Sequence, residues 1–182
     1  MQSEANIVSR VKKQDHKAQK ALYDKYSPLF FGICLRYLKN AADSEDVLIE
    51  SFYKIFNKIS QFKEEGSFEG WMKRIVVNEC LMQIRKKSNL NLHVEIEKAY
   101  ELKEDPSAVS DINHQDLLAL INDLPKGYRT IFNLYVIEGY KHREIAEMLK
   151  ISINTSKSQL ILAKKRMREL YKKKHNQILK RN

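Results

Sequence analysis

Apolar residues recur at steps of three and four along most of the chain, and sustained two-residue alternation is absent, so helices rather than strands are expected. Ile7, Val11, Ala18, Ala21 and Leu22 fall mostly at helical spacing. Ser27-Pro28 resembles a capping residue followed by proline at a first helical position, which predicts a second helix over 28–38. Asp43 or Ser44 can cap a third helix, whose apolar stripe is Val47, Leu48, Phe52, Ile55, Phe56 and Ile59. Asp46, Glu50, Tyr53 and Lys54 then lie on or near its other face. After the polar loop QFKEEGS, Phe68, Trp71, Met72, Ile75, Val76 and Ile84 mark a fourth helix that ends in Arg85-Lys86-Lys87. Helices of this length can close into a compact bundle.

A second helical set follows an interruption. Residues 113–124 read as one helix stopped by Pro125, which can open the next through Arg129, Ile131, Phe132, Leu134 and Val136 until Gly139 ends it. A short helix over 141–149, a turn at Lys150-Ile151-Ser152, and a long helix from about Asn154 to Lys173 complete the set. The long helix carries Leu160, Ala163, Met167 and Leu170 on one face. Two helices joined by so short a turn, meeting at Ile145, Ala146, Leu149 and Ile151, have the length signature of a helix-turn-helix.

Composition supports an all-α chain. Five Gly and three Pro in 182 residues are too few for a sandwich or barrel, which needs a tight turn every ~8–12 residues. Cys34 and Cys80 form no CxxC pair, so neither a disulfide framework nor a cysteine zinc site is suggested, and a reduced compartment fits best. No stretch approaches the ~18 apolar residues of a membrane span, and charges stand where a signal peptide has its apolar stretch. A cytoplasmic location without membrane insertion is expected.

Charge divides the chain more sharply than hydropathy does. Residues 1–88 carry 16 basic and 11 acidic side chains, residues 89–116 carry 2 and 7, and residues 117–182 carry 15 and 5. The middle stretch contains Pro106 and little apolar periodicity, which predicts a helical domain over 1–88, an acidic linker over 89–112 with a short element near 92–102, and a helix-turn-helix domain over 113–182. The strongly basic last block points to a polyanion. In a helix-turn-helix, residues near the second helix's N-terminus reach base edges. Here these are Asn154, Thr155, Lys157, Ser158 and Gln159. Lys164, Lys165, Arg166 and Arg168 lie further along and suit backbone phosphates.

Both blocks resemble one family, the bacterial RNA polymerase sigma factors of the extracytoplasmic-function (ECF) type. DSEDVLIESF over 43–52 is similar to the family's region 2 signature, and GWMKRIVVNECLMQIRKK over 70–87 to its Trp/Asn/Arg-bearing helix. Residues 120–170 are similar to region 4, with a Leu-Pro start, Arg129, Glu144-Ile145-Ala146 and Ala163. The chain departs from the common pattern at Ile49 (usually Gln), Lys150 and Asn154 (Gly), Ser156 (Val) and Gln159 (Arg).

The resemblance implies a promoter-specificity subunit. Region 2 would dock on the clamp helices of the polymerase β′ subunit through Asp43, Asp46 and Glu50. It would open and read the −10 element through Lys63, Ser67, Arg74, Asn78 and Arg85. Trp71, at helical spacing with Phe68 and Ile75, reads as core rather than a stacking platform. Region 4 would read the −35 element through Asn154, Thr155, Lys157, Ser158, Gln159, Lys164 and Arg166, and touch the β flap. An anti-sigma protein is a usual partner. No cofactor or metal is expected, and an enzyme is disfavoured: there is no Gly-rich phosphate loop, H-E-x-x-H or nucleophile elbow. The rival reading is a helix-turn-helix regulator that binds intact duplex without polymerase.

Overall fold

The computed structural model describes residues 4–63, 65–87 and 114–179. Every regular element among them is helical, and they belong to two compact units, 1–88 and 89–182. The acidic linker, and the short element expected near 92–102, lie outside the described residues.

The first unit contains α1 (Glu4–Lys12), α2 (His16–Leu38), α3 (Ala41–Lys58), a 3₁₀ turn (Ile59–Gln61) and α4 (Phe68–Lys87). The break expected at Ser27-Pro28 is absent. Pro28 sits inside α2, and the interruption falls instead at Gln14, which takes a left-handed φ of 59°. Asp15 then caps α2 by accepting from the amides of Lys17 and Ala18. A mid-helix proline costs a backbone hydrogen bond and ~3 kcal/mol. The buried run Leu22, Tyr26, Phe30, Ile33, Cys34 and Tyr37 spans Pro28 on both sides and holds α2 continuous, each large apolar side chain contributing ~1.5–3 kcal/mol.

α3 starts two residues earlier than its expected cap. Asn40 accepts from the Asp43 amide at 2.9 Å, and the buried Ser44 hydroxyl donates back to the Asn40 carbonyl. The expected apolar stripe is buried at Val47, Leu48, Phe52, Ile55 and Ile59, and packs on α2 and α4, where Met72, Val76 and Cys80 are sealed. Phe62, Phe68 and Trp71 cluster with ring centroids 5.1–5.8 Å apart, so Trp71, half-buried, belongs to the packing at the start of α4.

The second unit contains α5 (His114–Asp123), α6 (Lys126–Phe132), a π-helical turn (Asn133–Ile137), α7 (His142–Leu149) and α8 (Ile153–Leu179). The α-helix that was expected to run through Val136 widens at Asn133, and Gly139, with φ 77°, makes the stop. α7 and α8 pack against each other and α8 against α6, around Leu134, Ile145 and Ala163, all 0% exposed. Lys150 closes α7 in the left-handed region, φ 56° and ψ 48°, with the Ile151 amide reaching back to the Ala146 carbonyl at 3.0 Å. The turn forms with lysine where the family has glycine.

Candidate nucleic-acid interface

In the first unit, α3 and α4 present two polar surfaces. One is the outer side of α3, where Asp46, Ile49, Glu50 and Tyr53 are exposed. Asp43 does not share it freely: it is half-buried and paired with Lys87 of α4. Its carboxylate joins the N-terminus of α3 to the C-terminus of α4 and is less open to a partner than those of Asp46 and Glu50. Glu50 pairs with Lys54 at 3.2 Å, and Lys54 pairs with Glu79 of α4 at 2.7 Å. The Glu79 hydrogen bond holds Lys54 above the ordinary lysine range, against partial desolvation, with Glu50 adding to it.

The other surface is a cleft of about 330 Å³ between α3 and α4, lined by Lys54, Lys58, Ile75, Asn78, Glu79, Met82 and Arg85. Asn78 and Arg85, expected on one face, meet here. Arg74 lies one turn before Asn78, exposed, and outside the lining; Lys63 and Ser67 are exposed in the preceding loop. The Ser67 hydroxyl accepts from the Gly70 amide at 3.1 Å, so its oxygen is engaged in capping α4. Lys58 and Met82 are additions to the expected set, brought to the cleft by the way α3 and α4 cross.

In the second unit, α8 sorts its polar residues in an unexpected way. Thr155, Ser158 and Gln159 are buried at 3%, 6% and 4% exposure. Ser152 accepts from the Thr155 amide at 2.9 Å and shares a 2.8 Å hydrogen bond with its hydroxyl, while the Ser158 hydroxyl donates to the Thr155 carbonyl. Thr155 and Ser158 thus serve the cap and first turns of α8, and Gln159 is buried with them in the packing of α8 on its neighbours. Asn154 and Lys157 remain exposed, and Lys164 is half-buried on the same side. Arg166 lies nine residues beyond Lys157, about two and a half turns at ~3.6 residues per turn, hence on the opposite face, where it pairs with Glu169 at 2.9 Å.

His142, at the start of α7, stacks on Tyr135 at 4.4 Å, and its Nδ1 lies 2.9 Å from the hydroxyl of Ser156. Desolvation, then Lys157 and Lys164, push its pKa below the ordinary histidine value. This contact straps α7 to the first turn of α8, and sequence reasoning missed it because the partners stand fourteen positions apart. No group of three or more potential metal ligands occurs among the described residues, and no described helix is long and apolar enough to cross a membrane.

The family profile for Sigma-70 region 2 matches residues 22–89, and that for Sigma-70 region 4 matches residues 114–167. The ECF RNA polymerase sigma-E factor of Haemophilus influenzae is 28% identical over 170 residues, covering 87% of this chain and 89% of the relative. The ECF RNA polymerase sigma factor SigW of Bacillus subtilis is 27% identical over 175 residues, covering 89% and 93%. The fold is shared with the sigma factor RpoE solved with the anti-sigma factor NepR from Bartonella quintana, at TM-score 0.53 and 21% identity over 84% of this chain and 96% of that one. It is also shared with CnrH solved with the cytosolic domain of CnrY, at TM-score 0.52 and 16% identity over 91% and 95%. With both regions matched in order, and the helix-turn-helix formed as region 4 requires, the chain belongs to the ECF family of RNA polymerase sigma factors.

Proposed function

We propose that this sigma factor joins core polymerase through the outer face of α3, with Asp46 and Glu50 as its acidic groups. In this reading residues 1–88 handle the −10 element, residues 89–112 are the linker and residues 113–182 grip the −35 duplex. The cleft of Asn78, Lys58 and Arg85, with Arg74 and Lys63 nearby, offers amide and cationic groups to an unstacked strand. The first turns of α8 offer Asn154 and Lys157 to the major groove, and Lys164 to a phosphate. The protein contributes positioning and specificity while the polymerase supplies the chemistry. Its place of work is the cytoplasm, with core enzyme and promoter DNA. The two solved structures of like fold, one in complex with an anti-sigma factor and one with the cytosolic domain of CnrY, support a protein partner of the anti-sigma kind.

The observation that carries this reading is the ordered match of both sigma regions on one chain. Run-off transcription with core polymerase tests it. Initiation from a subset of promoters in a genomic pool is expected. A chain that neither co-purifies with core nor directs initiation, yet binds intact duplex tightly by itself, is the regulator of the rival reading.

A further inference from the structure

Burying Thr155, Ser158 and Gln159 leaves α8 with a different reading end from the one its polar residues suggest. The helix opens at Ile153, which is 43% exposed, beside exposed Asn154 and, one turn on, exposed Lys157. Ile153, Lys157 and Lys164 follow one another at i, i+4 and i+11, so they share a face. The Ser152 hydroxyl, bonded to the Thr155 amide at 2.9 Å, fixes the backbone on which Ile153 stands, and its β-branch restricts the side chain. A stiff aliphatic group is thus held out at the tip of the reading helix, next to an amide and a cation.

A major groove presents donors and acceptors for the amide and the cation, but its one apolar group is the 5-methyl of thymine. We propose that Ile153 is a specificity-determining residue that packs on a thymine methyl within the −35 element. This rests on the −35 reading of the second unit and adds to it one base identity read by shape rather than by hydrogen bonding. Asn154 and Lys157 fix the helix in the groove, and Ile153 then rejects a base step that lacks the methyl.

The test uses the full chain with core polymerase. A −35 sequence is first selected from a randomised duplex pool. Each thymine in it is then replaced singly by deoxyuridine, which removes only the methyl, and holoenzyme binding is measured by competition. At one position the replacement should weaken the wild type about fourfold, the worth of one buried methyl. The same replacement should leave Ile153→Ala unchanged, and Ile153→Val, which keeps the β-branch, should retain part of the loss. If every uracil costs wild type and Ile153→Ala alike, or none costs either, the proposal is overturned while the −35 reading stands. If no −35 preference emerges from the pool, both fall.

Discussion

Lysine at position 150 holds the helix-turn-helix in a conformation that glycine adopts without strain. Its φ of 56° and ψ of 48° place it in the left-handed region, and its amide and that of Ile151 both close on the Ala146 carbonyl. For a residue with a Cβ this region costs ~1–2 kcal/mol. Lys150→Gly removes that cost, and the greater freedom of glycine in the unfolded chain returns ~0.5–1 kcal/mol of it. Because the lysine side chain is exposed, no buried contact is lost. Taking the middle of each range, the balance is a gain of about 0.75 kcal/mol for the second unit, or a rise in its thermal midpoint of about 3–6 °C at ~4–8 °C per kcal/mol. Thermal unfolding followed by circular dichroism measures it. Lys150→Ala, which loses the charge but keeps the Cβ, should show no rise. An unchanged midpoint for Lys150→Gly, or an equal rise for Lys150→Ala, refutes the backbone argument.

Gly139→Ala is the converse case: its φ is 77° and a Cβ would meet nothing within 4 Å, so a loss of about 1 kcal/mol should come from the backbone alone and appear as a lower midpoint. His142, with its pKa lowered, contributes stability that is whole above the unfolded-chain value of about 6.5 and is lost as pH falls toward the depressed folded value. Between pH 8 and 5 the wild-type midpoint should therefore drop further than that of His142→Phe, and parallel curves would contradict the assignment. Lys164→Ala should reduce the salt slope of duplex binding by about one unit, whereas Arg166→Ala, on the opposite face, should leave it alone. Equal slopes for the two variants would mean that α8 meets DNA by another face.

Periodicity located most of these helices because apolar spacing reports which face is buried. It misplaced the break in α2 because local rules weigh Pro28 and Ser27, whereas Phe30, Ile33 and Cys34 on one side and Leu22 and Tyr26 on the other bind the helix into one piece. Asn78 and Arg85 could be joined from spacing alone, since one helix carries both. Lys58 and the Lys54–Glu79 pair could not, since they depend on how α3 and α4 cross. The largest revision concerns α8. Thr155, Ser158 and Gln159 have the chemistry of base readers, but hydrogen-bonding capacity says nothing about direction, and the packing of α8 against α6 and α7 turns them inward. Ile153, outside with Asn154 and Lys157, carries no signal in the sequence because spacing reads an isoleucine as core.

Lys54 stands between two carboxylates, Glu50 at 3.2 Å and Glu79 at 2.7 Å. An arginine or lysine on a docking partner would compete for Glu50, and Lys54 would keep Glu79 when it lost the contest. Docking at this face, as proposed, would then be an exchange of cations on one carboxylate, with Lys54 still paired to Glu79. Such an exchange would swap one exposed ion pair, worth ~0–1 kcal/mol, for another, so Glu50 would guide the encounter more than it tightens the hold.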